Sequence, residues 1–341
     1  MKISFLFAAG LCLLASACSK NSLTNTPAEN TTLTAASGAT ALGAPSDPTR
    51  AELRVIIENV TGADAHIYNA KDNVGHTMDC AKIIANPAGG FIAVYHTYVN
   101  GEAKVNLASS ADVLHWTWIR ELAGSNTGSA SQPTIAVAAD GGFVMAWEQE
   151  PNNHLKFVYF RNWTDLQNGA VAKSFEAPRT LSSCAEGTPN LYYASSTRLD
   201  VGHHYYSNCD VDRQARGTLT NFNSWTTSRQ PNFDNALLYW GVKGNIGDRD
   251  AAVYKGYNFG VIEGQGTKGD FGTWRTYLYD YQTGNADQLH IVTDHGSLAF
   301  ANPTITNTVI DGRNAILVTL FVPSENSGSS EAGELIYYKK Y

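Results

Sequence analysis

Charge is scarce in this chain. Of 341 residues only 16% are charged, the formal net charge is −7, and lysine and arginine never cluster. Without a basic face there is nothing to neutralise phosphates, which argues against a nucleic-acid partner. Beyond the first residues no stretch is long and apolar enough to cross a bilayer. Cysteine is sparse, five in all, and none stands at the spacing of a structural zinc site. A nucleophile elbow, a P-loop and a dinucleotide fingerprint are missing too. From Ser19 to Arg50 there is no aromatic residue at all, so that stretch cannot bury enough surface to offset its own ordering.

What is present begins with "MKISFLFAAGLCLLASAC", a lysine, a short apolar run and small residues, the pattern of a secretory signal. Its end, Leu14 to Cys18, resembles the lipobox of bacterial lipoproteins. That resemblance implies a signal peptide over residues 1–17, lipid on Cys18, and anchoring to the outer membrane on its periplasmic or surface side. Residues 18–50 then read as a flexible tether, and 51–341 as the folded domain. Export permits disulfides. Of Cys80, Cys184 and Cys209, a Cys184–Cys209 pair is one outcome and three buried thiols the other.

Aromatic residues reach 11%, a composition suited to an all-β domain. Five segments each open a strand with a polar residue and continue as strand, turn, strand: "MDCAKIIANPAGGFIAVYHTY", "SQPTIAVAADGGFVMAWEQE", "GTPNLYYASSTRLDVGHHYY", "GDRDAAVYKGYNFGVIEGQ" and "ANPTITNTVIDGRNAILVTLFV". Aligned on Asp79, Gln132, Thr188, Asp248 and Asn302, they start 53, 56, 60 and 54 residues apart. Repeats of this length with about four short strands each indicate a β-propeller, here of five blades. The last repeat ends at "ELIYYKKY", one strand short. "ELRVIIENV", Glu52 to Val60, is the expected strand that closes the ring from the N-terminal side and removes its free edges.

In a propeller the start of each innermost strand and the end of the second strand meet at one rim. That gathers Asp79, Gln132, Glu186 with Thr188, Asp248 and Asn302 with His96, Glu148 and Glu150, His203 to Tyr206, and Glu263 and Gln265. "EGTPNLYY" resembles the Glu-Gly-Pro strand start that carries the general acid of five-bladed arabinanase and β-xylosidase type glycosidases, and Asp79 matches their general-base aspartate. The resemblance implies that Glu186 is the acid and Asp79 the base. Gln132 stands where that family has a third, tuning aspartate, so Asp248 or Glu148 would have to replace it. The chemistry asks for one protonated and one ionised carboxyl about 6.5–9.5 Å apart for inversion, and a nearby negative charge keeps the acid protonated.

"VGHHYYSNCDVD" is the densest polar cluster. His203 and His204 point to opposite faces of a strand, and His204 is the one expected in the pocket, with Tyr206 and Glu263 binding hydroxyls and a histidine or the channel holding water or Ca²⁺. Arg249 could clamp a uronate carboxylate or bridge two blades. Trp240 could stack on a sugar or fill a core. The expectation is an exported, monomeric glycoside hydrolase whose partner is a glycan. A lyase using His or Tyr on a uronate-containing glycan, and a binding propeller without turnover, remain open alternatives.

Overall fold

The first repeat begins with two strands enclosed along most of their length: from Cys80 to Ile84 five successive residues are buried, and from Phe91 to Thr97 seven. Such runs belong to strands covered on both faces. The structure, a computed structural model, describes residues 46–125 and 128–341, with Asp248 described by its backbone only. The expected signal peptide, Cys18 and nearly all of the tether lie outside the described residues.

Five antiparallel sheets of four strands form a five-bladed propeller. The closing strand β1 (Ala65–Ile67) comes first in the chain. Blade one is β2 (Asp79–Ala85), β3 (Phe91–Val99), β4 (Glu102–Ser110) and β5 (Thr117–Ala123). Blade two is β6 (Ala130–Val137), β7 (Phe143–Gln149), β8 (His154–Phe160) and β9 (Lys173–Glu176). Blade three is β10 (Glu186–Ala194), β11 (Arg198–Ser207), β12 (Val211–Thr220) and β13 (Ser224–Arg229). Blade four is β14 (Ile246–Tyr254), β15 (Tyr257–Gln265), β16 (Trp274–Asp280) and β17 (Asn285–Gln288). Blade five is β18 (Ala301–Ile310), β19 (Arg313–Val322) and β20 (Gly333–Lys340), and β1 pairs antiparallel with β20 as its fourth strand, Ala65 opposite Tyr338 and Ile67 opposite Ile336.

An N-terminal strand therefore closes the ring, but not the one expected. Asp47–Glu58, which contains most of "ELRVIIENV", is helix α1. Its buried residues, Leu53 and Ile57, are four apart, the helical period rather than the alternation of a strand. Pro48 in its first turn suits a helix start, and Arg54 pairs with Glu58 one turn on at 3.1 Å. The β-branched run Val55-Ile56-Ile57 suggests a strand, yet Val55 is exposed. The helix begins at Asp47, so the folded domain starts before residue 51. It packs on blades four and five, where Leu53 and Ile57 join Tyr254, Leu278, Leu320 and Tyr337 in one apolar cluster.

Apolar clusters likewise seal blade five to one, one to two, and two to three. The junction of blades three and four is built differently: helix α2 (Pro231–Leu238) supplies Phe233 and Leu237 to blade four's cluster, and the Tyr192 hydroxyl of blade three meets that of Tyr281, just after β16, at 2.8 Å.

Cys184 and Cys209 form a disulfide, while Cys80 is a buried free thiol. The bridge ties the loop before β10 to the β11–β12 turn. Closing a loop of 25 residues' separation should contribute about 3–4 kcal/mol in the chain-entropy account. Cys184→Ser/Cys209→Ser is expected to lower the denaturant midpoint accordingly. An unchanged midpoint in guanidinium titration would show that the turn is held without it.

Candidate active site at the channel mouth

All five innermost strands slip register just after they start, between Asp79 and Lys82, Ser131 and Thr134, Gly187 and Asn190, Asp248 and Asp250, and Ala301 and Thr304. These are β-bulges, which re-aim side chains and backbone groups at sites. Four bulge residues hold left-handed backbone: Cys80 (φ 57°), Gln132 (54°), Thr188 (49°) and Asn302 (48°). The sequence alignment of the repeats is thus right in blades two, three and five and one residue early in blade one, where Cys80 occupies the slot given to Asp79.

Opposite Asp79, Ser131, Gly187, Gly247 and Ala301, the second strand presents His96, Glu148, His204, Glu263 and Phe321. At three junctions the bulge N–H turns toward the neighbouring blade, where His96, Glu148 or Glu263 receives it. The N–H of Gln132 donates to His96 Nδ1 at 3.4 Å, that of Thr188 to Glu148 Oε1 at 2.6 Å, and that of Asn302 to Glu263 Oε2 at 2.5 Å. Between blades five and one the acceptor is Glu334, which takes the N–H groups of Cys80 and Ala81 at 3.0 and 3.1 Å. One hydrogen-bonding device thus closes each of these junctions and holds polar side chains at the rim.

Glu148 needs room to cross to blade three. A Cβ on Gly187 would stand 2.4 Å from its Oε1, so glycine there is what lets the carboxylate lie against the backbone. The Thr188 hydroxyl also donates to Oε1, at 2.7 Å, and Ser131 Oγ reaches Oε2 only at 3.4 Å.

A cavity of about 410 Å³ opens at this rim. Seven residues expected there line it: Gln132, Glu148, Thr188, His204, Tyr206, Glu263 and Asn302. Asp212, Phe271 and Trp274, not singled out as site residues in the sequence, line it as well. His204 Nε2 lies 3.8 Å from Glu148 Oε1 and 3.7 Å from Asp212 Oδ1. One imidazole thus stands between two carboxyls. Burial is the main cause that pushes the Asp212 carboxyl up, with the Glu148 charge adding to it and His204 opposing. Burial likewise pushes up Glu263, against the pull of Arg249 and the Asn302 N–H.

The remaining expected residues lie elsewhere. Glu186 is 1% exposed, and its Oε1 accepts the N–H groups of Thr180, Leu181 and Ser182 at 2.6, 2.5 and 3.1 Å. Its carboxyl organises the loop before β10 and is not part of the cavity lining. Asp79 heads β2 beside the cavity, accepts the Thr77 hydroxyl at 3.0 Å, and is pushed up by burial. His96 is buried beneath the rim, its pKa driven down to about 3 by burial and then by the Arg249 charge, so it serves as a neutral acceptor. Arg249 is buried. Trp240 is away from the cavity, its indole N–H bonded at 2.8 Å to the carbonyl of Ala286 on outer strand β17. Asp248's side chain lies outside the described residues.

Among the described residues no group of three His, Cys, Asp or Glu is arranged for a metal. Inside the ring stands a cation of the chain itself, Lys82, whose ammonium meets Asp250 of blade four and donates to the Ile305 carbonyl and Thr306 hydroxyl of blade five at 3.0 and 3.1 Å.

Because three N–H groups depend on Glu186, Glu186→Ala should cost several kcal/mol, at about 1–3 kcal/mol for each donor left buried without a partner. Glu186→Gln keeps one acceptor oxygen and should lose about 1–2 kcal/mol on the same grounds. Thermal unfolding of the two variants checks the order.

No protein-family model matches the chain, and no curated protein matches it in sequence. In three dimensions it is similar to an exo-1,5-α-L-arabinanase from a bovine ruminal metagenomic library, with a TM-score of 0.51 at 10% identity over 77% of this chain and 92% of that one. A thermostable family-43 glycoside hydrolase gives 0.52 at 8% identity over 80% and 92%. A sucrose-6-phosphate hydrolase from Lactobacillus gasseri gives 0.53 at 10% identity over 86% of this chain and 64% of that one. At such identities the likeness is one of fold, and the chain is a five-bladed β-propeller of the architecture that these glycosidases share.

Proposed function

We propose that this chain is an exported carbohydrate-active enzyme, a glycoside hydrolase that works as a monomer on a polysaccharide or oligosaccharide from a lipid anchor at Cys18 in the bacterial cell envelope. The observation that carries the reading is the pair of carboxyls, Glu148 and Asp212, within 3.8 Å of one His204 nitrogen in the propeller's mouth cavity. Those two contacts laid end to end keep their nearest oxygens below the upper limit of roughly 9.5 Å for glycosidase carboxyl pairs. The fold shared with an arabinanase and a family-43 glycoside hydrolase supports the same class.

On this reading the roles expected of Glu186 and Asp79 pass to Asp212 and Glu148. Asp212, whose carboxyl burial holds toward its protonated form, donates its proton to the glycosidic oxygen as the bond to the anomeric carbon breaks. Glu148 takes a proton from the water that attacks that carbon. His204 keeps both carboxyls in register, Glu263 is the third acid of the cavity, and Tyr206, Gln132 and Asn302 bind sugar hydroxyls. Phe271 and Trp274 offer faces on which a sugar ring can stack.

The test is a panel of plant and microbial glycans assayed for reducing ends and for ultraviolet absorbance. Reducing ends without absorbance are expected. An unsaturated, absorbing product would replace hydrolysis by elimination, and binding without product would make the domain a lectin.

A further inference from the structure

Among the polar second-strand residues of the rim, His204 does not carry the junction to the next blade. His96, Glu148 and Glu263 each take a bulge N–H from the blade that follows, whereas the His204 ring, among the described residues, stands between Glu148 and Asp212. Blades three and four are bridged at this rim through Asp212 instead. Its N–H donates to Asn245 Oδ1 at 3.0 Å, and its carbonyl accepts Arg213 Nη1 at 2.6 Å, which also donates to the Gly244 carbonyl at 2.8 Å. Both backbone groups of Asp212 are thus tied to the two residues that lead into β14.

The reason lies in the length of β13. It pairs with β12 only as far as Ala215, opposite Arg229, so residues 211–214 of β12 run on with an outer edge that the fourth strand leaves uncovered. Backbone groups on such an edge need partners, and the segment entering blade four supplies them one by one. Asp234 of α2 accepts the Gln214 N–H at 2.9 Å, the Gln230 N–H meets the Gln214 carbonyl at 2.8 Å, and Asn245 serves Asp212. Gly244 and Asn245 are pinned in turn to the end of β15: the Gly244 N–H donates to the Gln265 carbonyl and the Gln265 N–H to the Asn245 carbonyl, both at 2.8 Å. A Cβ on Gly244 would stand 2.6 Å from Gln265 Oε1, so glycine is what lets the segment lie this close. Asn245 itself lines the cavity.

We propose that Asn245 is the positioning residue for Asp212: by accepting its N–H it fixes the uncovered end of β12 and so aims the Asp212 carboxyl into the cavity, 3.7 Å from His204. This rests on reading Asp212 as the acid and adds what holds it in place. An acid aimed by its backbone works only while that stretch keeps its position, and a displacement of about 1 Å can cost on the order of 10²-fold in rate. Without the Asn245 oxygen the end of β12 moves toward solvent, and the carboxyl loses part of the burial that pushes it up.

Asn245→Ala and Asn245→Asp in the full chain, compared by kcat and KM on a cleaved glycan and by carbon-13 NMR titration of the Asp212 carboxyl, test the assignment. Asn245→Ala is expected to lower kcat by about tenfold or more with KM within about threefold, and to bring the Asp212 midpoint down toward the ordinary aspartate range. Asn245→Asp keeps an acceptor oxygen and should hold kcat within about threefold of native, with a midpoint no lower than native. A merely structural asparagine would lower the melting temperature and leave the midpoint where it was, and that result overturns the proposal. So does a kcat lost equally in both variants with a native midpoint, which would give Asn245 to the substrate. A midpoint that falls in Asn245→Ala and is kept in Asn245→Asp, with no glycan cleaved by any form, upholds the positioning and sinks the hydrolase reading. Should Asn245→Ala fail to fold, hydrogen exchange of the native chain decides: the Asp212 N–H should be protected although no strand covers it, and free exchange would overturn the proposal.

Discussion

Asp250→Ala should destabilise the propeller by about 3–5 kcal/mol, the range for removing one partner of a buried ion pair. Asp250 and Lys82 have side chains only 4% and 9% exposed. The carboxylate also accepts the Ile305 N–H at 2.8 Å, while Lys82 reaches Ile305 and Thr306. Three blades, one, four and five, are thus joined through one pair of charges. Removing Asp250 strands an ammonium without a counter-charge and an N–H without an acceptor. For a domain of this size each kcal/mol moves the melting temperature by roughly 2–4 °C, so a fall of about 6–20 °C is expected by calorimetry. A shift under about 2 °C on the same scale would mean that water reaches the pair and solvates it.

Asp212→Asn should reduce glycan hydrolysis by about 10²–10⁴-fold, the contribution of a positioned general acid, with the melting temperature nearly unchanged. The asparagine keeps the shape and cannot deliver the proton. Because burial raises the Asp212 pKa in the folded chain, the working, protonated form is lost as pH rises through that raised value. The rate of the native chain should therefore fall on its alkaline side at a pH above the ordinary aspartate range, and the residual rate of Asp212→Asn should lose that limb. Raised carboxyl pKa values also act on stability. An acid whose folded pKa lies above its unfolded one stabilises fully below the unfolded value, and that contribution is lost as pH rises through the folded value. Asp212→Asn should accordingly flatten the pH dependence of stability between those two values.

The period of the repeats was legible because each blade restarts with the same polar-residue-then-strand pattern, and the bulge is what imposes it. The one-residue offset in blade one has a physical cause: Cys80 is apolar while the bulge residues Gln132, Thr188 and Asn302 are polar, so the polar pattern points to Asp79 instead. The second-strand residues His96, Glu148, His204 and Glu263 were found because their rim position follows from topology alone. Asp212 escaped because the third strand also begins at that rim. Asp212 stands on β12 opposite Tyr206, in the same polar cluster as the two histidines. Glu186 misled in the other direction. A glutamate at a strand start can turn its side chain either into the channel or onto the preceding loop, and only the three N–H groups of residues 180–182 decide for the loop. The helix α1 was misread because β-branched residues weigh toward strand, whereas the burial of Leu53 and Ile57 is set by packing on blades four and five.

The measurement that bears most directly on where the catalytic carboxyls lie is a side-by-side comparison of kcat for Asp212→Asn and Glu186→Gln on one glycan that the native chain cleaves. A loss of at least about 10²-fold is expected for Asp212→Asn, and a rate within a few-fold of native for Glu186→Gln. A collapse of the Glu186 variant with Asp212→Asn left active would return the acid to "EGTP" and contradict the site drawn around His204.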